Sequence, residues 1–290
     1  MDNNYIEFKK KRELGEILAD TFAFLRINFK SIFSVLAKTC LIPFILLLIS
    51  FGYQAYAASS IFDSFDFYNS NIFSSGNILF SYLLVFITSA VFYSSFFGAI
   101  MILIKEYANN NGIISEQNVV TEFKDQFSKI IGLGIIGFII VTLSFCLCIV
   151  PVLYFFVPMN LIFSIMIFRN KGIGDSLSES FDIIKNEFWI TFATYLIIMI
   201  LLYIVSLVIS IPIIIYTMFK TFTAATEGGM PDLSVFKDWW FILLNTILSG
   251  LQYFLIIIIA ISSAFIYFNL NERKHHTGTL EQIDSLGKSE

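Results

Sequence analysis

Charge is what this sequence has least of. Asp, Glu, Lys and Arg make up 14% of its 290 residues, against about a quarter in an ordinary soluble domain. The shortage is concentrated rather than spread: Ile130 to Phe168, Phe188 to Phe219 and Trp239 to Leu270 contain none at all. Each run is long enough to cross a hydrocarbon core of about 30 Å, which takes around 20 helical residues. With 57% hydrophobic residues, the composition is that of an all-α integral membrane protein, whose first partner is the lipid bilayer.

The other shortages exclude further classes. No basic stripe accompanies the net charge of −4, so nucleic acid is not an expected partner. The three cysteines, Cys40, Cys146 and Cys148, all fall in apolar runs without Cys-x-x-Cys spacing, and read as small buried apolar residues, not metal or redox centres. Only two histidines occur, His275 and His276 in a polar tail, and no Ser or Cys nucleophile has a recognisable base. No catalytic residue, cofactor or metal site is expected, and the chain is read as a non-enzyme. The first apolar run follows a long charged stretch, unlike a cleavable signal.

What is present is a set of apolar spans near 32–57, 78–104, 131–150, 152–168, 188–219 and 239–270, in a single transmembrane domain covering 1–290. The third and fourth are divided at Pro151, because one straight helix from 130 to 168 would be nearly twice the bilayer thickness; a re-entrant hairpin leaves the same side exposed. Lys and Arg gather before the first span, after the second and after the fourth, whereas the loop at 58–77 has none. The positive-inside bias then puts both termini in the cytoplasm, the tail 271–290 included. Trp189, Trp239 and Trp240 sit at span ends as interfacial anchors. Ile61, Phe65, Tyr68 and Ile72 have the spacing of a short helix on the outer leaflet.

The chain also repeats itself. At an offset of 159, Gly15, Leu18, Phe22 and Phe29 recur as Gly174, Leu177, Phe181 and Phe188, with Asp20 answered by Glu179 and Arg26 by Lys185. Leu18, Phe22, Leu25 and Phe29 form one helical stripe, and Leu177, Phe181, Ile184 and Phe188 form another. Ser176 and Glu179 have capping-box spacing. A weaker third copy has Val119, Phe123, Phe127 and Ile130. The expected architecture is six transmembrane helices as three hairpins, each preceded by a cytoplasmic amphipathic interfacial helix at 13–30, 116–130 and 173–187.

Leu/Ile-Gly-acid-x-Leu-small-acid-Ser/Thr-Phe, followed by a base and Phe before a long apolar run, resembles the uncharacterised bacterial inner-membrane proteins of the YciC type. It also resembles the membrane domain found beside glycerophosphodiester phosphodiesterases. The resemblance implies a multi-pass protein of the bacterial plasma (inner) membrane and carries over no functional residue.

Several patterns call for structural readings. Gly132, Gly134 and Gly137 fit a dinucleotide fingerprint, but open a span where glycine serves close helix packing; Ala90, Ser94 and Gly98 read alike. No acid lies inside a span, which disfavours a proton relay, and Lys38 reads as a snorkelling base. Asn160, Asn245 and Gln252 are polar at depth. They serve helix-to-helix hydrogen bonding or, near Pro158 to Asn160, a broken helix lining a substrate path. Phe22 and Phe181 are the candidate cytoplasmic contact face toward other membrane or cytoplasmic proteins. In the tail, Leu280, Ile283 and Leu286 suggest a docking segment. The functional expectation is an assembly or envelope-homeostasis component; the alternative is a transporter or lipid-handling protein with a neutral polar cavity.

Overall fold

The computed structural model describes residues 5–59, 76–147, 149–226, 236, 238–278 and 280. Among the described residues the chain forms eight helices and no strand: α1 (Leu14–Ser59), α2 (Gly76–Asn109), α3 (Glu116–Leu147), α4 (Ile149–Arg169), α5 (Ile173–Ile184), α6 (Phe188–Thr226), α7 (Trp239–Phe254) and α8 (Ile256–His275). Six stretches are long and apolar enough to cross a membrane, the last of them combining α7 and α8. The protein is an all-α polytopic membrane protein, as its charge-free runs require.

Local chemistry explains the boundaries. Asn111 and Asn170 follow α2 and α4 with φ of 50° and 49°, the left-handed step that ends a helix and that asparagine tolerates. Behind each, an amide reaches back to a carbonyl of the last turn: Gly112 to Tyr107 at 2.9 Å and Lys171 to Met166 at 3.2 Å. His276 stops α8 in the same way, with φ of 53°.

Several expectations need correcting. The stretches 14–30 and 118–130 are the opening turns of α1 and α3, which run on unbroken; only the second repeat copy is a helix of its own, α5. Residue 148, between α3 and α4, lies outside the described residues, and the fourth stretch apolar enough to cross a membrane begins at Pro151. Pro151 sits in the first turn of α4, where a missing amide costs nothing. α4 also passes through Pro158 without breaking. The Ser176–Glu179 capping box does not form: Gly172 is the N-cap of α5, and the Ser176 hydroxyl donates to the Gly172 carbonyl at 2.8 Å. Half a capping box stands instead in the first copy, where Glu16 Oε2 accepts the Glu13 amide at 2.9 Å. Cys40 is buried as expected, but Cys146 is exposed on α3. Lys38 is paired, with Glu116 at 2.6 Å. The outer-leaflet helix at 61–72, Cys148, Ile283 and Leu286 lie outside the described residues.

The chain divides into two compact units. The first comprises Met1–Leu41, Tyr93–Met199 and Ile256–Glu290. Its core is three lengths of helix buried on every side: Ser94–Ile104 of α2, Val157–Ile167 of α4 and Ala260–Glu272 of α8. Helices this apolar all round belong in an interior. Close approach is built in by small residues: a Cβ on Gly134 would overlap the Ser94 side chain, and one on Gly137 would come within 3.2 Å of Ile162. The second unit comprises Ile42–Phe92 and Ile200–Leu255. There Phe44 packs on Phe92 and Phe254 with centroids 5.6 and 4.8 Å apart, and Ser89 meets the Tyr253 hydroxyl at 3.0 Å. Its length of α6 leaves Val208, Ile215 and Phe219 exposed, as side chains facing acyl chains would be.

Candidate functional site

The polar residues of the first unit converge on the end of α8. Asn269, Asn271 and Glu272 are buried there, although α8 is leaving its apolar run. Arg12 reaches this place from the non-helical segment before α1. Its side chain has no exposed surface, which obliges it to find partners. Its Nε donates to Asp20 Oδ2 at 2.8 Å, and its Nη1 to the Phe8 carbonyl at 2.8 Å. The Glu7 carbonyl accepts from Nη2. The guanidinium carbon lies 4.6 Å from the centre of the Phe265 ring, and the Arg12 backbone amide donates to Asn269 Oδ1 at 2.9 Å. Burial pushes the guanidinium down from its ordinary pKa, opposed by the bond to Asp20. Around it, Phe8 stacks on Phe265 at 4.4 Å and Tyr5 on Tyr107 at 5.4 Å, so the leading segment is strapped to the bundle.

The second repeat copy builds the same arrangement again. Arg169 donates through Nε to the Tyr267 hydroxyl at 3.0 Å and through Nη2 to Asn271 Oδ1 at 2.6 Å. Its Nη1 pairs with Glu179, and the guanidinium carbon lies 6.0 Å from the centre of the Tyr267 ring. Asp20 and Glu179 are equivalent across the repeat. Each carboxylate holds two bases: Lys10 at 3.6 Å and Arg12 for Asp20, Arg169 and Lys171 (2.5 Å) for Glu179. Lys10 and Arg169 are 159 apart, as are Arg12 and Lys171. The repeat therefore begins four residues earlier than the Leu-Gly/Ile-Gly pattern, with a base-x-base pair whose Lys and Arg have changed places. α8 supplies each grip with an aromatic ring and an asparagine one turn later, Phe265 with Asn269 and Tyr267 with Asn271. Two positions apart on a helix is about 200°, so the two copies hold α8 from opposite sides.

The two helices also bury the same face. Ile17, Thr21 and Phe24 are buried, and so are their equivalents Ser176, Ser180 and Ile183. This face is one residue out of phase with the apolar stripes read from the sequence. Of the candidate contact residues, Phe22 is 45% exposed. Phe181 packs within the chain, on Tyr154 at 5.9 Å and Phe155 at 5.6 Å. In the third copy, Thr121 stands opposite Asp20, and the neighbouring Glu122 pairs with Lys105 at 2.7 Å.

Two of the polar positions at depth, Asn160 and Gln252, are satisfied locally. Asn160 donates to the Phe156 carbonyl at 2.7 Å and accepts from the Tyr93 hydroxyl at 3.1 Å. In the second unit, Gln252 donates to Ser210 Oγ at 2.9 Å, and Asn245 is half-buried. Among the described residues no His, Cys, Asp or Glu side chains gather as a metal ion requires.

Neither Arg12 nor the Asn269–Glu272 run stands out in the sequence by type. Extending the repeat upstream to positions 10 and 169 was the available signal. Fold and site together describe a multi-pass membrane protein in which Arg12 and Arg169 make similar contacts with α8. No family model, curated protein or solved structure matches this chain, so the site is described by its own geometry.

Proposed function

We propose that this is a non-enzymatic multi-pass protein of the bacterial plasma (inner) membrane, of the YciC type, acting as an assembly or envelope-homeostasis component. Both termini lie on the cytoplasmic side. One observation carries the reading: the buried charged side chains of the first unit are spent on joining the chain's own elements at one end of the bundle. Asp20 and Glu179 are each held by two bases, an arrangement that fixes a scaffold and leaves neither acid free to act as a base.

The outward face of α1 beside this hub is the contact surface. Phe22, Phe29 and Phe33 are exposed along it, next to basic Arg26 and Lys30. Affinity capture in mild detergent tests this, comparing wild type with Phe22→Asp. Loss of captured membrane or cytoplasmic proteins is expected while the thermal midpoint stays within a few degrees. Unchanged capture would sink the reading. Phe181→Asp serves as contrast: it breaks contacts with Tyr154 and Phe155 and should lower stability itself.

A further inference from the structure

Beside the Arg12 grip, the start of α1, the start of α6 and the end of α8 border an open hollow of about 420 Å³ lined by Lys11, Arg12, Glu13, Glu16, Glu187 and Arg273. A crevice of about 30 Å³, room for one water, lies beside it between Ile17, Ile190, Ile266 and Leu270 and shares Arg12, Glu187 and Arg273 with its lining. We propose that this hollow binds the head of a zwitterionic aminophospholipid, of the phosphatidylethanolamine class, with its acyl chains outside the crevice against exposed Ile190.

Three observations lead there. Arg12 is fully engaged by Asp20, two backbone carbonyls and Phe265, so it holds the wall and does not compete for a ligand. Arg273 is different. It meets Glu187 through one nitrogen at a long 3.3 Å, and its remaining donors have no partner among the described residues. Finally, Asn269 is 7% exposed and lines the crevice. Its oxygen is taken by the Arg12 amide, while its side-chain NH₂ has no partner among the described residues.

These groups match a zwitterion. A phosphate accepts from the free edge of Arg273, with Lys11 at the rim and one water in the crevice bridging to the Asn269 NH₂. The ammonium then meets Glu187 and Glu16, so the ligand inserts into the long Arg273–Glu187 pair and replaces it with two ion pairs. Setting Arg12 aside, the mouth holds two bases, Lys11 and Arg273, against three acids, Glu13, Glu16 and Glu187. An anionic head is therefore disfavoured. A choline head carries the same charges but has no N–H to donate to the carboxylates. Trp189, 77% exposed next to Ile190, marks the headgroup level at which such a ligand travels.

The site does not depend on the assembly reading, and its test is separate. The full chain in mild detergent would be titrated with phosphatidylethanolamine, phosphatidylcholine and phosphatidylglycerol of one acyl composition, with bound lipid counted by native mass spectrometry. Phosphatidylethanolamine should bind about tenfold more tightly than either, the weight of one charge-assisted contact. Arg273→Gln should weaken it by about tenfold, Lys11→Gln by less, and Glu187→Gln should abolish the preference over phosphatidylcholine. Glycerophosphoethanolamine, the head without chains, should bind far more weakly than the lipid. Equal binding of the ethanolamine and choline lipids to wild type would overturn the proposal. So would equal affinity for the chainless head, or wild-type affinity in both Arg273→Gln and Lys11→Gln. Lys11 is exposed, so its variant and the wild-type comparison decide the matter even where Arg273→Gln unfolds.

Discussion

Arg12 is a charged side chain taken wholly out of water, and such a group is tolerated only when its partners are complete. Arg12→Gln leaves Asp20 short of its nearest base and strips the Glu7 and Phe8 carbonyls of their donor. A loss of about 3 kcal/mol is expected, read as a lowered thermal unfolding midpoint in detergent. Arg12→Lys should not rescue it, because an ammonium cannot serve an acid, two carbonyls and an aromatic face from one plane. The repeat supplies a sharper version. Exchanging the two bases, Lys10→Arg with Arg12→Lys, copies the order found at Arg169 and Lys171, and should recover part of what Arg12→Lys alone loses. No recovery would mean that the two grips are not equivalent. Arg169→Gln should cost less, since its side chain is 25% exposed.

Among the elements, glycines of like appearance have opposite roles. Gly134 faces the Ser94 backbone and side chain, so Gly134→Ala forces α2 and α3 apart and should destabilise by about 1–3 kcal/mol. Gly174, identical across the repeat with Gly15, has open space where a Cβ would go. Gly174→Ala in α5 should stabilise by about 0.5–1 kcal/mol through helix propensity. Thermal midpoints of the two variants moving in the same direction would contradict this packing. α5 is also tied to α8 by Lys274 and Asp182. The hydrogen bond from Lys274 holds the Asp182 carboxyl below its ordinary value of 3.8. A depressed folded pKa gives stability that is present above 3.8 and is lost as pH falls through the lower folded value. Asp182→Asn should thus differ from wild type at neutral pH and converge with it in strong acid, in melts taken across that range.

Much of this was legible in the sequence, and the misreadings have physical causes. Charge-free runs locate the spans because lipid rejects charge. The helical stripe Leu18, Phe22, Leu25 and Phe29 was visible too, but it was not the inward face. In water an apolar stripe turns inward; beside acyl chains it is free to turn outward, leaving Thr21 and Ser180 to pack inside. Asn269 and Asn271 could not be recognised locally, because their partners stand 257 and 102 positions away.

At the scale of the whole molecule, the clustering of Lys and Arg predicts that α5 lies on the cytoplasmic side. Single cysteines at positions 178 and 185, in a cysteine-free background, should react with a membrane-impermeant maleimide only after the cells are opened. Labelling of intact cells there would reverse the topology and move the hub to the outer surface.

The grip on α8 also sets a timetable for synthesis. Arg12 is made 257 residues before the asparagine that receives its backbone amide, so the strap around it cannot lock until α8 has been made. A chain halted at residue 255 would display Arg12 and Arg169 without their α8 partners, Phe265, Tyr267, Asn269 and Asn271, beside an empty helical slot. Membrane proteases recognise such unfinished polar surfaces within a bilayer, so a pulse-chase of that truncation should show rapid loss where the full chain persists. A truncation as long-lived as the full chain would show that the strap closes without its last helix.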